Sequence, residues 1–185
     1  MPIPIIMVIS WEGNASDIGE NILNAANEVL GKIGSDWHAE IHKRSSNKFI
    51  ALSYFQPLDY DLEDSGNTLR WGLGSAAPKV TVKIRDPELI VFVPDTPFYS
   101  CSFYVWQGSG TIVASPWWLI PAIAAVLNEG LVINYMYLWG VAAWGYPLDC
   151  RTMHMSVWRP PLNSTLRVSP TGYTIPVSYT HLTLP

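Results

Sequence analysis

Ile3 to Ile9 is a short apolar run, bounded by prolines on one side and Glu12-Gly13-Asn14 on the other, and it predicts a buried strand. The period then changes. Ile18, Ile22, Ala25 or Ala26, Val29 and Ile33 recur at three- and four-residue steps, which predicts a helix over 16–33 with one apolar stripe. Asn14 or Ser16 supplies a cap, Asp17 and Glu20 suit the positive N-terminal end, and Gly34 suits the stop. From Trp37 to His42 apolar and polar residues alternate, as in a half-buried strand. Ser45-Ser46-Asn47 is a turn and Phe49 to Phe55 a second strand, so 37–55 predicts a hairpin and the chain opens β-α-β-β.

The next stretch, 57–78, is acidic and then rich in Gly, Ser and Pro, and it predicts a long surface loop. Lys79 to Arg85 alternates cleanly, with Lys and Arg on the wet side, which suits an edge strand. Asp86-Pro87 turns the chain into a more buried strand at Leu89 to Val93. Further strands are expected at 99–106 and 111–114, joined by the tight turn Gly108-Ser109-Gly110.

Two classes compete for 117–148. Trp117 to Leu127 and Leu131 to Trp139 are almost wholly apolar, but Asn128-Glu129-Gly130 separates them. A membrane span needs about 20 consecutive apolar residues. An ionised side chain at its centre costs about 2.5–3.5 kcal/mol. A buried helix ending at Gly130, with Pro121 in its first turn, followed by a buried strand, avoids that cost. Membrane association through 117–148 is therefore the third-ranked alternative.

Composition narrows the field. Of 185 residues, 49% are apolar and 14% charged, against a charged share of roughly 25% in average soluble chains, which predicts one densely buried domain. The net charge is -4 and no basic run exceeds Lys43-Arg44, so the linear sequence offers no nucleic-acid footprint. Cys101 and Cys150 form no CxxC pair and are expected to be buried thiols. MPIPIIMVIS lacks the charged start of a signal peptide, and the expectation is a reducing, cytosolic compartment.

The last nine residues, VSYTHLTLP, resemble one translated frame of a transposase-end sequencing adapter. The resemblance implies a native domain of 1–176 truncated near Pro176, with 177–185 foreign and His181 without a functional role.

Candidate chemistry is sparse. Gly72-Leu73-Gly74-Ser75-Ala76-Ala77 has the shape of a dinucleotide fingerprint but lacks a strand before it and a helix after it. Gly108-Ser109-Gly110 is a hairpin turn rather than a nucleophile elbow. His38, Glu40 and His42 alternate along one strand and carry zinc-compatible ligands, although the plainer reading puts them on the wet face with Trp37, Ala39 and Ile41 inside. Of nine tryptophans, Trp11, Trp71 and Trp158 sit near turns, where an exposed ring can anchor a partner.

The expected fold is α+β: a mainly antiparallel sheet with a βαββ opening and two helices packed on it. The expected function is a small protein-binding module, of the toxin-neutralising (immunity) kind by architectural analogy. Its binding surface is expected at Trp11, Trp71, Asp59, Asp61, Glu63 and Asp64. The alternative is a metal-dependent enzyme using His38, Glu40 and His42. No cofactor is called for by any motif, and the expected partner is another protein rather than nucleic acid or membrane.

Overall fold

Among the described side chains of the strand Ile5–Ser10 (β1) neither face is wet: Met7, Val8 and Ile9 are all fully buried. That burial sets the architecture. In a computed structural model that describes residues 5–31, 37–55, 60–73, 79–93, 103–115, 119–130, 132–146, 151–161 and 164–176, twelve strands form two antiparallel sheets, with three helices.

The first sheet contains β1, Trp37–Arg44 (β2), Lys48–Phe55 (β3), Tyr104–Gln107 (β8), Thr111–Ser115 (β9) and Val157–Trp158 (β10), in the order β10-β8-β9-β1-β3-β2. The second contains Tyr60–Asp64 (β4), Thr68–Leu73 (β5), Val80–Arg85 (β6), Glu88–Val93 (β7), Ser164–Ser169 (β11) and Gly172–Thr174 (β12), in the order β12-β11-β7-β6-β5-β4. The α+β class and the βαββ opening stand as the pattern predicts, with β2 and β3 adjacent and antiparallel.

Register sorts the side chains of the first sheet into two cores. Ile9 lies between Phe49 and Ile112, and Met7 between Ala51 and Ala114; these face helices Ala15–Gly31 (α1) and Leu119–Val126 (α2). Ile18, Ile22 and Ala26 of α1 pack there with Leu119, Ile120 and Ile123 of α2; the side chain of Val29 lies outside the described residues. Gly19 sits so close to β3 that a Cβ would overlap the Phe49 ring, so the helix approaches at a distance only glycine permits. On the other face Val8 lies between Ile50 and Val113 and meets the second sheet, where Leu69, Val82, Val91 and Leu166 form one continuous rung. The layers are helix, sheet and sheet.

Four expectations are corrected. The segment 57–78 contains a hairpin, not a long loop: the Asp64 carboxylate accepts from the Gly66 N–H at 2.8 Å, Gly66 takes φ +79, and β4 and β5 pair from Asp64↔Leu69 to Tyr60↔Leu73. The strand after Lys79 is not an edge, because β6 pairs with β5 and β7; its Lys and Arg face solvent because the sheet itself is the outer layer. The segment after Gly130 contains helix Tyr135–Trp144 (α3), not a buried strand. Finally, the alternation of β2 breaks at its end. Ile41 pairs with Ala51 and Lys43 with Ile50, leaving His42 as the extra residue of a β-bulge, with Ile41 46% exposed and the His42 side chain 9% exposed.

Polar contacts also join the sheets. His42 Nδ1 lies 3.7 Å from Asp64 Oδ2, and the Lys48 ammonium, on a side chain buried at the start of β3, donates to Asp86 in the β6–β7 turn. The hydrogen bond and charge of Lys48 hold the Asp86 carboxyl below its ordinary value of 3.8. A carboxylate with a lowered folded-state pKa stabilises the fold above its unfolded value and loses that contribution as pH falls. The stability difference between the parent and Asp86→Asn should therefore be constant above pH 3.8 and shrink below it, as read by melts across pH; a difference independent of pH contradicts the latch. Trp71→Ala, which empties a fully buried site between the sheets, should cost about 3–5 kcal/mol in urea unfolding.

Candidate docking surface

Residues 130–148 contain no Asp, Glu, Lys, Arg or His, and α3 is YMYLWGVAAW. The helix is set by its ends. Asn134, with extended backbone, accepts from the Tyr137 N–H through its side chain at 3.3 Å, and Gly145 closes the helix at φ +79 with its N–H on the Val141 carbonyl at 2.9 Å. Residues that suit strands, Val132, Ile133, Tyr135 and Tyr137, mask those two caps in a pattern reading.

A strap fixes the helix start to the first sheet. Ile133 bridges His154 antiparallel, the Asn134 N–H donates to Met153 O at 2.8 Å, and the Met155 N–H to Val132 O at 3.0 Å. His154 is buried with its ring 4.8 Å from the Trp106 ring. Its Nδ1 accepts from the Ser156 N–H at 3.1 Å, while Nε2 lies 3.3 Å from the Gly130 carbonyl. Thr152 completes the strap, accepting from the His154 N–H at 3.2 Å and donating to Val157 O at 2.8 Å. This histidine is a structural rivet beneath the helix.

The surface so held is apolar and wet. Gly140 is the buried residue of α3, whereas Tyr135 is 77% exposed and Trp139 58% exposed; Met136, Trp144, Tyr146, Met153 and Met155 are exposed beside them. A helix apolar on all sides belongs in a core, a membrane or an interface. At ten residues α3 is about 15 Å long, half the hydrocarbon thickness. Among the described residues, no helix is long and apolar enough to cross a membrane.

The residues expected to bind are placed otherwise. Trp71 is 1% exposed, which corrects the expectation of an open ring: it pairs with Val80 and Leu62 in the core between the sheets. Trp11 is half-buried, its ring laid over Gly110 where a Cβ would overlap it, and packs on the helix-side core. Trp158 is half-buried in β10, opposite Val105. Glu63 accepts from Lys79 at 2.6 Å and lies 3.7 Å from Arg70, while Asp64 serves the hairpin turn and His42. Asp59 and the side chain of Asp61 lie outside the described residues, as do residues 177–185 and both cysteines.

The register puts His38 opposite Tyr54 and Glu40 opposite Leu52, and their side chains are outside the described residues. His42 faces Asp64 across the sheets. Among the described residues no three His, Cys, Asp or Glu side chains gather as metal ligands.

Compared with protein-family models and with curated protein sequences, the chain matches none.

Proposed function

We propose that this chain is a protein-binding module and that α3 with its strap is the docking element. The carrying observation is a charge-free, doubly capped helix whose Tyr135, Met136, Trp139 and Trp144 face solvent. Tryptophan and tyrosine dominate binding hot spots, and methionine adapts to irregular partner surfaces. The absence of charge on α3 favours a partner protein presenting an apolar groove, since a helix laid in such a groove binds through successive side-chain anchors. The three-layer body supports the helix from one end through the His154 strap, so the docking element is preorganised rather than ordered on binding.

The test uses the purified chain and a reconstituted stoichiometric partner. Trp139→Asp should weaken binding by about 30-fold or more, the scale of a hot-spot loss. The same substitution should barely change the melting temperature, because the ring is exposed, and Glu63→Gln should leave the affinity unchanged. Binding that survives Trp139→Asp contradicts the proposal, as does parent chain that instead dimerises through α3 in sedimentation or floats with neutral lipid vesicles.

A further inference from the structure

The outer face of the second sheet gathers cations that are far apart in sequence. The chain holds 11 Lys and Arg. Five of them, Arg70, Lys79, Lys83, Arg85 and Arg167, alternate outward along β5, β6 and β11 or at the start of β6, opposite the core-facing Leu69, Val80, Val82, Ile84, Leu166 and Val168. The acids described on this face are Glu63, beside Lys79 and Arg70, and Glu88, paired in register with Arg85. Lys83, Arg85 and Arg167 make no ion pair with another described residue. A chain of net charge -4 thus carries a locally basic face.

The register gives this face a floor and walls. One rung runs Thr68–Lys83–Ile90–Arg167, and the next Arg70–Thr81–Phe92–Thr165. Neighbouring strands stand about 4.8 Å apart and successive rungs about 6.8 Å. Ile90 and Phe92, both half-buried, therefore form an apolar floor between Lys83 and Arg167 on one rung and between two threonine hydroxyls on the other. Most of these residues line a cavity of about 520 Å³, open to solvent, within the size range of small-ligand sites.

We infer that this face is a binding site for a nucleoside phosphate, with the ring on Phe92 and Ile90 and the phosphate held by Lys83, Arg70 and Arg85. A flat ring stacks on an exposed phenylalanine whatever its hydrogen-bonding edge. Arginine and lysine disposed around it supply charge-assisted donors to a multiply charged phosphate, and Thr81 and Thr165 supply hydroxyls for a sugar. A carboxylate alone would use neither the floor nor more than one cation. The residues are those of no other surface described above, so the site does not depend on α3.

The same chemistry comes free in solution or as part of a single strand, and the probes separate the two. Calorimetric titration of the full chain with AMP at low salt should give a Kd at or below about 1 mM, with adenosine and inorganic phosphate each at least about tenfold weaker. Lys83→Glu and Phe92→Ala should each weaken AMP by about tenfold or more, and Arg167→Ser should do so in part, while all three keep the parent melting profile within a few degrees. A ten-residue oligothymidylate that binds more tightly than AMP, with an affinity falling steeply as salt rises, assigns the site to single strands; one that binds no better assigns it to the free nucleotide. Failure of AMP and the oligonucleotide to bind, or binding untouched by Lys83→Glu and Phe92→Ala, overturns the inference. Trp139→Asp should leave all these affinities unchanged, so the two surfaces stand or fall separately.

Discussion

Everything in this fold hangs on a sheet that is covered twice. β1, β9 and β3 are central strands of the first sheet, and successive residues of each point into different cores: Met7 and Ile9 to the helices, Val8 to the second sheet. Period-2 geometry makes that division unavoidable, and a one-residue slip of β1 would exchange the two sets. The cost of ordering so many strands is met by apolar burial on both sides of a single layer. Among the buried polar side chains, that of Lys48 links the two sheets through Asp86.

That constraint explains which parts of the fold were legible in the sequence. A strand buried on both faces reads as an unbroken apolar run, and Ile3 to Ile9 was such a run; α1 showed its stripe because one face meets the sheet and the other water. The second sheet was harder. Its β4–β5 hairpin is built from Asp, Gly, Ser and Thr, so loop composition concealed an alternation of Leu62, Leu69 and Trp71 that points inward. Trp71, expected to be exposed near a turn, is core because β5 lies inside the sheet. His42 keeps the face that alternation gives it, but that face meets the second sheet rather than water, which no local pattern announces.

The two proposed binding surfaces were the least legible. In α3 the aromatic and β-branched content implied a strand, and the caps Asn134 and Gly145 were the signal that pointed to a helix. The exposed state of that helix follows from where the strap holds it, at the β10–β8 end of the first sheet, not from its own residues. The basic outer face is assembled from three strands, so a search for linear Lys and Arg runs was bound to miss it. One scaffold thus presents an apolar knob and, on another surface, a polar, cationic groove. The first is the surface proposed for protein docking and the second the one proposed for a small phosphate ester.

The doubly covered sheet is also where the account is most exposed to test. Native-state hydrogen exchange measures the free energy of opening residue by residue. The amides of Met7, Val8, Ile9, Ile112, Val113 and Ala114 should exchange only through global unfolding, since each lies between two neighbouring strands and two cores. Those of α3, which rests on one strap and buries little, should open at a far lower free energy. Equal protection of α3 and β1, or faster exchange in β1 than in the outer strands β4 and β12, would contradict the claim that the first sheet is the core on which both surfaces are mounted.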